Sequence, residues 1–217
     1  MNRMVIYYGA ILVMGCMAAG CSTAWGRHQL TPLAELSRSK GPCPTEVDVV
    51  RIGQTPKRPI IRIALVAADG NGYATYETLE ATLKQEATKV CADVVVVTGH
   101  QVTSDETVGT YGGGLFLSNT IKRPHLFGIA GRYAKVKLGM NCERTDGTIN
   151  YVETGSCAEE IGLTEGAKIL AVNGIFIGSD EFAIEREVLS REPGDTVRVE
   201  YLTKDGMKVT KEVKLRE

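Results

Sequence analysis

The chain has 217 residues, with 25 basic and 26 acidic side chains and a formal net charge of −1. No basic patch with interleaved aromatics occurs, which excludes nucleic acid as the expected partner, and the interspersed charges read as a solvated globular surface. The six cysteines include no C-x-x-C pair, which argues against a zinc knuckle or a thioredoxin-like redox motif.

Residues 1–20 do not read as part of the fold. Arg3 supplies a basic start, and Met4 to Ala19 are apolar or small without charge. A positive start, a short apolar stretch and small residues before a break read as a secretory signal rather than a membrane span. Ala18-Ala19-Gly20 runs straight into Cys21. This segment resembles the lipobox of bacterial lipoproteins, with Ala18 where Leu is usual. Val13-Met14-Gly15-Cys16 is a weaker match of the same kind. The resemblance implies diacylation of the Cys21 thiol, cleavage before it and acylation of the new N-terminus. Several acyl chains hold a protein stably at a membrane where one alone is marginal. Ser22 is not acidic, which in such families implies the outer membrane, facing the periplasm. The alternatives are an ordinary cleaved signal, or an uncleaved span with an incidental cysteine.

Residues 21–45 hold Gly41, Pro32, Pro42 and Pro44 with little periodicity, and read as a tether. Residues 46–132 read as a small α/β (α+β) domain of unknown role, with a helix packed on a small sheet. Val47 to Ile52 is a short apolar run. Ile60 to Val66 has the β-branched density of a buried strand. A helix is expected from about Tyr73 to Cys91, where Tyr76, Leu79, Leu83, Ala87 and Val90 make one apolar stripe. Asp93 to Thr98 is a second buried strand. Residues 99–132 carry Gly109, Gly112, Gly113 and Gly114 around Tyr111. No Lys-Ser/Thr follows, so a phosphate loop is excluded and a flexible loop or strand bulge is expected.

From Tyr133 the features come in an informative order. Leu138-Gly139-Met140 is an apolar-Gly-apolar step. Thr148 to Val152 is a short strand. Gly155-Ser156-Cys157-Ala158-Glu159-Glu160-Ile161-Gly162-Leu163 follows, and then Ile169-Leu170-Ala171-Val172-Asn173-Gly174 runs a strand into a tight turn. Ser179 or Asp180 can cap a helix to about Arg191. Pro193-Gly194-Asp195 ends it, and Val197, Val199 and Tyr201 open a last hairpin. Residues 133–217 so resemble the PDZ domain of bacterial envelope proteases, without the protease domain. The departures are Cys157, where Pro is common, and Ala167-Lys168, where Asp is usual after Gly166.

The resemblance implies a small β-sandwich or barrel with two helices that captures peptides by strand addition, a recognition mode for which PDZ domains are a standard example. Leu138, Gly139 and Met140 would form the carboxylate loop, with backbone amides holding a C-terminal anion. On a helical wheel Ile184 and Val188 share one side and Phe182 and Leu189 another. We expect Ile184 and Val188 in the core, and Phe182 and Leu189 beside Met140 in a pocket for an apolar terminal side chain.

Cys43, Cys91, Cys142 and Cys157 remain beyond the leader. Four cysteines allow three connectivities, among which sequence does not choose. The expectation is one bridge per domain, Cys43–Cys91 and Cys142–Cys157, against the alternative of free buried thiols. No catalytic site is expected. There is no Gly-x-Ser-x-Gly elbow, and no His-x-x-x-His spacing for a metal. Of the histidines, His28 lies in the tether, and His100 beside Asp105 and Glu106 reads as a surface polar group. No cofactor is implied. The expected role is a lipid-anchored, non-catalytic module binding C-termini of envelope proteins. The alternative is an envelope stress sensor or regulatory adaptor of a separate periplasmic protease.

Overall fold

The computed structural model describes residues 23–35, 42–110 and 116–217, with side chains described outside 105–119. The expected leader, the lipidation site Cys21 and Gly112 to Gly114 lie outside the described residues. The fold is β-rich α+β, with two apolar cores.

The first core forms under a five-stranded sheet of order β1-β3-β5-β4-β2. The strands are β1 (Ala24–Leu30), β2 (Asp48–Val50), β3 (Ile60–Gly70), β4 (Val94–Thr110) and β5 (Phe116–Tyr133). All neighbours are antiparallel except β2 and β4. Helix α1 (Tyr76–Lys89) lies across one face. Its Leu79, Leu83 and Ala87 are fully buried against Ile63, Val66, Val95 and Leu126. The helix starts later than its periodicity suggests because Asn71 Oδ1 accepts from Tyr73 N at 2.9 Å, which holds a turn ahead of the cap. Thr75 then caps it, its hydroxyl accepting from Thr78 N at 3.3 Å. Cys91, with φ 59°, ends it in the left-handed region.

Two segments differ from expectation. Residues 24–30, expected within a tether, form the edge strand β1. Gly26 leaves room for α1, since a Cβ there would collide with the Glu86 side chain. His28 Nδ1 meets Glu86 Oε2 at 2.7 Å. Residues 99–132, expected as a glycine-rich loop or bulge, lie mostly within the long hairpin of β4 and β5. Pro124 is tolerated because it stands one residue beyond the last β3 partner, the pair Asp69–His125.

The second unit has a two-stranded sheet, β6 (Met140–Cys142) with β7 (Ile149–Val152). A four-stranded sheet runs in the order β11-β10-β8-β9, from β8 (Lys168–Val172), β9 (Ile175–Phe176), β10 (Thr196–Leu202) and β11 (Lys208–Lys214). Helix α2 (Cys157–Glu160) is capped by Ser156, which accepts from Glu159 N. Asn173 and Gly174 both have positive φ, as a tight hairpin turn demands. Leu138, Ile149, Leu163, Ile169, Val197 and Leu215 fill the core.

The helix expected over 180–191 is shorter and differently wound, with a π-helix at Glu185–Leu189. Asp180 Oδ1 accepts from Phe182 N, and Ser190 N donates to Glu185 O, one residue further than in an α-helix.

Candidate functional site

The site is built around β6. Glu153 N donates to Gly139 O at 2.8 Å, so Gly139 faces β7, and strand alternation turns the backbone groups of Met140 to the other edge. Among the described residues no strand pairs with that edge. The amides of Leu138 and Gly139 likewise meet no acceptor among the described residues. Gly139 has φ +78°, and a Cβ on it would strike the Ser156 side chain.

Two cavities meet along β6. One, of about 440 Å³, is lined by Gly139 and Met140, by the segment 55–60 ahead of β3 and by Ile184. The other, of about 130 Å³, lies between Met140 to Cys142 and the helical segment carrying Ile184 and Leu189. Met140, Asn141 and Ile184 line both, so the two lie side by side along β6 as the parts of one candidate groove.

The expected site residues divide. Leu138 is buried in the core, and Gly139 and Met140 line the groove. Leu189 lines the smaller cavity and also packs against Leu33, Ile61 and Ala134 of the first unit. Phe182 does not line the groove. It packs on that same cluster, with the Arg62 guanidinium 4.5 Å from its ring centroid. Ile184, expected in the core, packs against it but also lines both cavities, while Val188 is fully buried as expected. The wheel assumed one regular α-helix over 180–191, but Phe182 stands in the turn before the helical residues, its N–H held by Asp180 Oδ1.

Arg62 ties the groove wall to the first unit. Its Nε donates to Glu185 Oε1 at 2.6 Å, and its Nη2 to Glu181 O at 3.3 Å. Arg144 approaches the same carboxylate at 3.7 Å. No sequence signal marked Arg62 or Glu185, because two charges 123 positions apart carry no local pattern.

Cys43 and Cys91 are disulfide-bonded, closing the segment before β2 onto the end of α1. Cys142 and Cys157 are free, so the second expected bridge is not present. Cys157 is buried in the core with Sγ on Lys214 O, and Cys142 lines the groove. Burial pushes the Cys142 thiol up to about 11, the opposite of a reactive cysteine.

One polar row was not foreseen. His125 Nδ1 lies 2.7 Å from Asp69 Oδ1, and Nε2 lies 3.0 Å from Thr103 Oγ1. Arg27 Nε reaches Asp69 Oδ2 at 3.0 Å. Burial would raise the Asp69 carboxyl, but the bonds from Arg27 and His125 outweigh it and hold it below the ordinary range. The row joins four adjacent strands where the apolar core ends, and satisfies each polar group it contains. Among the described residues no group of His, Cys, Asp or Glu is arranged to hold a metal, and no helix is long and apolar enough to cross a membrane.

No family model and no curated protein matches the chain. Solved structures with partial likeness include a serine endoprotease from Yersinia pestis, 21% identical with a TM-score of 0.32, covering 39% of this chain and 29% of that one. The HtrA-type protease AlgW with decapeptide is 18% identical with a TM-score of 0.35, covering 52% and 41%. An aminopeptidase N family protein from Idiomarina loihiensis is 22% identical with a TM-score of 0.34, covering 54% and 18%. The chain spans less than half the length of each.

Proposed function

We propose that residues 133–217 form a PDZ-type module that captures the C-termini of other proteins by adding them as a strand to β6, without catalysing a reaction. The observation that carries this is the free edge of β6 beside an apolar-walled groove whose lining includes Leu138 and Gly139, the amides of which meet no acceptor among the described residues. A peptide strand would pair with the outward backbone groups of Met140. Its terminal carboxylate would take the two amides, and its last side chain would lie against Met140 and Ile184. Random heptapeptides with free C-termini should bind the protein and enrich apolar last residues, whereas amidated versions should be lost. Equal binding of both would sink the carboxylate mechanism.

The anchoring in the cell envelope belongs to the same proposal and is supported by residues 1–22 of the sequence. The mature protein should carry a mass increment of acyl chains on Cys21 and lack residues 1–20; an unmodified Cys21 overturns it.

A further inference from the structure

We propose that the carboxylate end of the groove is a composite site, completed by Arg58 from the first unit, so that a partner's C-terminal carboxylate is held between both halves of the molecule. This rests on the peptide-capture reading above.

Arg58 sits on the segment 55–60, which forms the wall of the 440 Å³ cavity opposite Gly139 and Met140. That segment is not a loose flap. Pro56 and Pro59 restrict its backbone. Pro59 O accepts from Ala134 N at 2.8 Å, and Ile60 opens β3 paired with Tyr133. It is therefore strapped to the same stretch of chain that leads into the carboxylate loop.

Three cations line this cavity, and they are not equivalent. Lys57 is paired with Asp48 at 3.3 Å, and Lys137 with Glu153 at 2.7 Å. Arg58 forms no ion pair among the described residues. Its guanidinium stands 5.0 Å from the Tyr133 ring centroid, and Asp93 feels its charge without contacting it. A stacked guanidinium keeps its planar fork of N–H donors available, and that fork matches a carboxylate. The Leu138 and Gly139 amides supply donors from one side of the cavity, and Arg58 supplies charge from the other. A carboxylate has lone pairs for both. The apolar body of the last residue then has Met140 and Ile184 beside it.

A peptide contacting the second unit alone would lose the charged half of the site. The test uses the whole protein, titrated with fluorescent heptapeptide pools ending in valine, either free or amidated. Arg58 is exposed, so its replacement should leave the fold intact. Arg58→Ala should weaken free-ended peptides roughly tenfold or more, as expected for a hydrogen bond between charged groups, and leave amidated peptides unchanged. Arg58→Lys should recover part of the loss. Lys211→Ala, an exposed charge removed from β11, should change neither. If the wild type prefers free ends and Arg58→Ala keeps that full preference, the composite site is overturned while the groove reading stands. If the wild type itself shows no preference, the groove reading falls and takes the inference with it.

Discussion

At the scale of single residues, Gly139 carries more than one duty. Its place in an apolar-Gly-apolar step suggested close approach of an anion to bare backbone. The fold adds two demands, a φ of +78° and no room for a Cβ against Ser156. Gly155 makes a useful contrast, with φ +74° but nothing within 4 Å of a built Cβ. Gly155→Ala should cost about 1–2 kcal/mol, the left-handed penalty alone. Gly139→Ala should cost more than that and abolish peptide binding, because either Ser156 or the loop must shift. Denaturant midpoints together with peptide titration check both, and equal costs would refute the Ser156 contact as the cause. The free thiols are a second case. Cys157 stands where Pro is common in the resembling motif, and packs as a small apolar core residue rather than bridging to Cys142.

At the scale of elements, legibility followed burial. The valine-rich β4 start, β3 and the α1 stripe could be read because one or both of their faces are buried. Strand β1 escaped notice because only Ala24 of its seven residues is buried, so no alternation is written into it. All of β5 escaped as well, its buried Leu126 and Ala130 included, and the outer part of the β4–β5 hairpin did so for a related reason. It runs beyond the last β3 partner as a two-stranded ribbon, where no core imposes a pattern. The π-helix shows a different failure. Its caps and apolar content were legible, yet Phe182 stands in a turn ahead of the helical residues and packs on the first unit, while Ile184 lines the groove. The segment packs on two sides at once, with Ala183 and Val188 in its own core and Phe182 on the Leu33–Ile61–Ala134 cluster, and a single wheel carries no sign of the second.

At the scale of the whole molecule, two cores are joined by a small apolar seam and one buried ion pair. Glu185 is 5% exposed, and Arg62 is its closest charge partner. Removing Arg62 leaves Glu185 only the longer contact with Arg144 in a poorly solvated place, at a cost of up to about 3–5 kcal/mol. Arg62→Ala should therefore destabilise the second unit and its groove wall, and should split thermal unfolding into two calorimetric transitions. A single transition at the wild-type midpoint would show that the Arg62–Glu185 pair contributes nothing to that coupling. The coupling also bears on binding, since the groove has one wall in each half of the molecule.

The sequence by itself determined helix α1 and the strands on either side of it, the tight Asn173-Gly174 turn and the last hairpin of the second unit. Each is written locally, in periodicity, in turn chemistry or in a short motif. Only the tertiary structure decided which cysteines pair, which face of the 183–189 helix meets the groove, and that Arg62 reaches the second unit. Those outcomes depend on residues far apart in the chain coming within a few ångströms. Such contacts are selected by packing and by charge pairing away from water, and no local pattern records them in advance.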